Sequence, residues 1–273
     1  MVRKLYKHEF IALLRVILPL NIICIALSLL LRISQSLAGA AGGSVMYALI
    51  NSLLMFAYVV SLIAITCLTF ALVVVRFYRH LLSAEGYLSM TLPVKTSTHI
   101  VCKLVCGTAV SILSTFIMAL SLFILWSGYA EFWTILGNSK TNIRSFLDYF
   151  GIGSGMAALY VIEIILTLLT SVVASYLMAY AAMTMGQRAK KRVLMSVVWY
   201  FVFNMIRGFI TNIVALVASI SFNPNDYDES AVRLMFNSGF HWVLWASILL
   251  AVIWSAVFYV IAQTNLKKRL NLE

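Results

Sequence analysis

Charge is what this chain lacks. Only 11% of its 273 residues are Asp, Glu, Lys or Arg, while 63% are hydrophobic. A soluble domain draws roughly a quarter of its residues from the charged four. A water-facing surface cannot be covered at this density, so the solvent must be lipid. No residue between Arg32 and Arg76 is charged, and residues 46–75 are almost wholly apolar. That stretch exceeds the ~20 residues a helix needs to cross a bilayer. As one helix it would measure about 45 Å, so it must tilt or run past the hydrocarbon. Catalytic signatures are missing too. Without a G-x-x-x-x-G-K-[ST] loop the chain does not cradle ATP phosphates itself. His8, His80, His99 and His241 lie far apart, with no H-E-x-x-H, and no G-x-S-x-G elbow appears. The chain is therefore read as no enzyme, with no cofactor of its own.

Cysteine is sparse and scattered, at Cys24, Cys67, Cys102 and Cys106. The first two fall inside predicted spans and read as small apolar residues. Cys102 and Cys106 share a helix face at i, i+4 spacing. Two thiols without a nearby His or acid make a poor metal site, and they read as packing residues, with lipidation left open.

What charge there is leans to one sign, with 20 Lys and Arg against 9 Asp and Glu, a net +11. Its cations cluster at span ends rather than on a soluble basic domain, which argues against nucleic acid as a partner. The predicted spans are 16–31, 46–75, 104–126, 153–183, 193–220 and 242–262. Lys and Arg in the successive segments outside them number 4, 1, 4, 2, 4, 1 and 3. This alternation predicts six spans with both termini in the cytoplasm. The fold class is an all-α integral membrane protein, a single six-span domain over 1–273 without internal repeat.

Residues 1–15 are amphipathic, with Arg3, Lys4, Lys7 and His8 on one side and Leu5, Tyr6, Phe10 and Leu13 on the other. They read as a helix lying in the membrane interface. Ala38-Gly39-Ala40 resembles a signal-peptide cleavage site, but the long basic lead and Arg32 favour an uncleaved anchor. The segment 127–150 is rich in aromatics, among them Tyr129, Phe132, Trp133, Phe146, Tyr149 and Phe150. It is expected to rest at headgroup level as a short helix or two.

The loop 76–103, RFYRHLLSAEGYLSMTLPVKTSTHIVCK, stands apart. Residues 77–82 continue the second span as a helix, Glu85-Gly86 stops it, and Tyr87, Leu88, Met90 and Leu92 are apolar or amphipathic in an exposed place. Pro93 keeps Leu92 out of the α region and opens a new helix. Two readings stay open: a projection that docks on a soluble partner, or a plain interfacial connection. An Arg-containing helix, then Glu85-Gly86-Tyr87-Leu88, then Leu92-Pro93-Val94, then Lys103 opening a span, resembles the first cytoplasmic loop of type-2 ABC exporter permeases. The residue-level match covers about 77–103. The basic lead, six spans and short tail are similar across most of the chain.

That resemblance implies a permease subunit that pairs with a second permease subunit, the same or related. It works on separate soluble ABC ATPase subunits, which hydrolyse the ATP, in a bacterial plasma membrane. It implies that Glu85, Gly86, Tyr87, Leu88, Leu92 and Pro93 form the coupling contact with the ATPase. The family often folds its last outer loop into short re-entrant helices. Here the stretch 221–239 is polar and acidic and departs from that pattern.

Glu163 and Arg207 are expected to form an intramembrane polar pair. By helical rise, Glu163 lies about 16 Å from the outer end of its span and Arg207 about 21 Å from the inner end of its own. Those depths fall within one side chain of each other in a core of roughly 30 Å. The pair reads either as a structural ion pair or as a polar patch in a translocation path. Arg207-Gly208 is expected to interrupt the fifth span. Gly151 and Gly155 form G-x-x-x-G, a spacing that permits close helix approach. Two other functions compete with the exporter. One is a secondary carrier using Glu163, although carriers commonly show repeats and paired broken helices. The other is a non-transporting membrane anchor or sensor. The sequence leaves the cargo open among peptides, drugs and lipids.

Overall fold

The computed structural model of the chain describes residues 2–37, 45–82, 96–149, 154–221 and 240–268. Among these residues every element is a helix: α1 Val2–Leu37, α2 Val45–Leu81, α3 Thr96–Trp126, α4 Ala130–Gly137, α5 Ser139–Tyr149, α6 Ser154–Gly186, α7 Arg192–Ser221 and α8 Phe240–Lys268. Six of them, all but α4 and α5, are long and apolar enough to cross a membrane. Helix is the one open-ended answer to a lipid solvent, because it satisfies every backbone N–H and C=O within the segment. Large apolar side chains stand exposed along them, Met205 at 75% and Phe209 at 69%, as lipid-facing residues do. The protein is a multi-pass membrane protein.

The helices outrun the spans expected of them. The amphipathic lead 1–15 and the first span form one unbroken helix through Pro19. The missing proline N–H does not break it, and the Asn21 side chain adds a donor nearby, Nδ2 to the Ile17 carbonyl at 3.0 Å. Helix α2, with 37 residues, is about 55 Å long, well beyond the hydrocarbon. Helix α3 starts at Thr96, so Lys103 lies two turns inside it rather than at its mouth. The expected break at Arg207-Gly208 is absent, and α7 runs straight through. A single glycine costs a helix only about 1 kcal/mol, too little to free backbone groups in lipid. The segment after α3 forms the two expected short helices, α4 and α5.

By its contacts the chain divides into two compact units, Met1–Arg76 with Thr98–Ser139, and Phe77–Ser97 with Lys140–Glu273. In the first, Cys24, Leu31, Tyr58, Ile65 and Leu125 form a buried cluster of α1, α2 and α3. Hydrophobicity does not hold helices together in lipid, so small residues and hydrogen bonds must. Ser114 donates to Asn21 Oδ1 at 3.0 Å, and the Tyr58 and Ser121 hydroxyls meet at 2.8 Å. Gly107 lets α3 approach α2 closely, since a Cβ there would stand 2.6 Å from Val73 Cγ1.

In the second unit α6 packs along both α7 and α8. Tyr160 and Leu244 are buried together near the starts of α6 and α8. At the other end, Arg188 Nη2 donates to Asn265 Oδ1 at 2.5 Å, tying the turn after α6 to the end of α8. Helices α6 and α8 therefore run parallel, with α7 returning between them in sequence. The last turn of α2 belongs to this unit, and Phe77 stacks on Tyr180 of α6 at 3.9 Å between ring centres, 8° from parallel.

Candidate functional site

Each unit buries ionised groups, and each handles them differently. In the first, Glu9 of α1 is 8% exposed and so is Lys103 of α3. Lys103 Nζ lies 2.5 Å from Glu9 Oε1, and Arg76 of α2 brings Nε to 3.2 Å of the same oxygen. The Arg76 Nη2 donates to Glu9 Oε2 at 3.3 Å. One carboxylate thus ties three helices. Beside it Cys106 donates its S–H to the Tyr6 carbonyl at 3.6 Å, and Cys102 is buried one turn away. The sequence reading missed Glu9. Its signal was available, as the one acid in a lead otherwise full of cations.

In the second unit Glu163 sits in α6, 6% exposed. Its partners come from α8. His241 Nδ1 lies 2.7 Å from both carboxylate oxygens, and Trp245 Nε1–H donates to Oε1 at 2.8 Å. With the carboxylate ionised, Nδ1 carries the proton and donates. His241 and Trp245 are four apart, hence on one face of the helix. The Tyr160 ring stacks on the imidazole at 4.2 Å and holds its plane.

Arg207 of α7 is elsewhere. Among the described residues no ion pair joins it to Glu163, and the expected pairing is replaced by these other contacts. The depth estimate failed because it could not see α8, whose first turns bring two donors to the level of Glu163. Arg207 instead lines a cavity of about 130 Å³. Ser171 and Ala174 of α6, and Thr211 of α7, form part of its wall. Ser247, Leu250, Ala251 and Trp254 of α8 complete it. Ser171 lies eight residues beyond Glu163 on α6, about 12 Å along the axis.

Among the described residues the cavity wall contains one charged group, the guanidinium. The Thr211 hydroxyl donates to the Arg207 carbonyl at 2.8 Å, and Ser247 to the Leu244 carbonyl at 2.7 Å. Those protons are therefore spent on their own helices. Trp254 Nε1 is buried with no hydrogen-bond partner. The wall thus offers the guanidinium as a donor and the two hydroxyl oxygens as acceptors only.

The expected coupling residues Glu85, Gly86, Tyr87, Leu88, Leu92 and Pro93 lie outside the described residues, as does the polar stretch 222–239. Their flanks are described: α2 carries Arg79 and His80 in its last turn and α3 begins at Thr96. Gly151 is likewise outside, and a Cβ on Gly155 would meet nothing within 4 Å in this chain. Comparison with family models, with curated proteins and with solved structures finds no match.

Proposed function

We propose that this chain is the membrane-spanning subunit of an ATP-driven exporter of the type-2 ABC permease kind. It would work as a pair with a second permease subunit in a bacterial cell membrane, with both termini cytoplasmic. The observation that supports this most is the setting of the Glu85-Gly86-Tyr87-Leu88 and Leu92-Pro93 motif. It falls between α2 and α3, two helices each longer than the hydrocarbon is thick. A docking element for a soluble ATPase needs a rigid mount outside the lipid, and a continuous helix through Leu81 provides one. The carrier reading gains less support: no described span is broken, and the Glu163 carboxylate is already engaged by His241 and Trp245.

The test is docking. Replacing Tyr87 and Leu88 together with Ser should leave the membrane body folded. It should weaken association with the ATPase by ~2 kcal/mol or more for each anchor lost. Copurification and stimulation of ATP turnover are the measurements. A double variant that binds and stimulates like the wild type removes the coupling role from this loop.

A further inference from the structure

The Arg207 cavity asks for a ligand. Arg207 is the one Lys or Arg deep within any of the six expected spans. It lies fifteen residues from the start of α7, and Trp254 fourteen from the start of α8. A charge at that depth is costly and usually functional. The acid that sequence depth offered as its counter-ion is held by His241 and Trp245. Among the described residues no carboxylate lines the cavity.

We propose that this cavity binds an anionic oxygen group, a carboxylate or a phosphate, presented within the membrane. Two observations converge on that chemistry. The guanidinium supplies a planar fork of donors matched to carboxylate and phosphate oxygens. The buried Trp254 N–H has no partner and can only donate, so its complement is an acceptor. Size agrees as well. A cavity near 150 Å³ admits a benzene-sized group, so 130 Å³ accommodates a head group but not a whole lipid. The apolar sides, Ala174, Leu250 and Ala251, keep the local dielectric low and strengthen the charge interaction. A cationic ligand is repelled by Arg207, and a neutral one leaves its charge uncompensated. The inference stands apart from the exporter reading and needs no ATPase.

The experiment uses the full chain in maltoside detergent, which carries no phosphate. Oleate, dioleoyl phosphatidic acid and inorganic phosphate are titrated separately, with oleyl alcohol and dioleoylglycerol as neutral controls. The midpoint of thermal unfolding reports binding. At least one anionic probe should raise it where its neutral counterpart does not. Arg207→Gln should weaken that binding about tenfold or more. Trp254→Phe, which keeps the ring and removes the N–H, should weaken it by a smaller factor. A response to oleate, to the lipid or to free phosphate identifies where the anionic group comes from. Equal response to charged and neutral probes, or no response to any, overturns the proposal. So does unchanged affinity in Arg207→Gln. Should that variant fail to fold, unchanged affinity in both Arg207→Lys and Trp254→Phe overturns it equally.

Discussion

The two units solve one problem in opposite ways. Around Glu9, a carboxylate meets two cations from two other helices, and the charges close on themselves. Around Glu163 and Arg207, acid and base are kept apart. The acid is satisfied by donors from α8, and the base faces a cavity. A closed cluster has nothing left to offer a ligand, and removing a member leaves charge stranded. An open arrangement keeps one group in reserve. The contrast separates an ionised group that holds helices together from one that holds something else.

The first way to break this comparison is to open the closed cluster. Glu9→Leu leaves Arg76 and Lys103 facing each other in a buried place, and should cost on the order of 3–5 kcal/mol of stability. Adding Lys103→Met should recover part of it. Thermal unfolding of the detergent-solubilised chain is the measurement, and full additivity of the two changes would contradict the cluster.

Next in size is Glu163→Gln. It removes charge from the hydrogen bonds with His241 and Trp245, at about 1.5–3 kcal/mol. Adding Arg207→Gln should give no rescue, and the two effects should sum to within about 0.5 kcal/mol, as unconnected sites do. A clear rescue would restore the ion pair that the sequence suggested.

The contrast recurs in the glycines. Gly107→Ala drives a methyl against Val73 and should cost about 1–3 kcal/mol, with Val73→Ala restoring much of it. Gly208, beside Arg207, would meet nothing within 4 Å. Gly208→Ala should therefore stabilise α7 by up to about 1 kcal/mol, the smallest effect of the series. A loss there would mean that α7 has a close neighbour at that face.

Much of the architecture was legible because a lipid solvent leaves few options. Apolar length and the alternation of Lys and Arg gave six spans, and the aromatic-rich segment 127–150 gave two short helices. The cation-rich helix ends at Glu9, Arg76 and Lys103 meet, as do Arg188 and the end of α8. What composition could not show was the choice of partners. His241 read as one of four isolated histidines, since its tie to Glu163 spans 78 positions and appears only when α8 lies against α6. Depth arithmetic placed Arg207 beside Glu163 because the span ends it counted from were guesses: α6 and α7 do adjoin, but Arg207 shares its cavity with Ser171, about 12 Å along α6 from Glu163. Lys103 read as a span boundary because a buried lysine needs a carboxylate. The one that serves it lies 94 residues away.

The Phe77–Tyr180 stack gives the second unit a joint with a preferred direction. Two parallel rings lose up to about half of their attraction when pulled apart by an ångström, yet slide across one another at less cost. Force applied to the end of α2 across the rings is therefore handed on to α6, while force along their faces is largely absorbed. On the docking proposal, a partner gripping the loop that follows would steer α6 best by drawing α2 away from it or pressing it inward. Glu163, Ser171 and Ala174 all ride on that same helix.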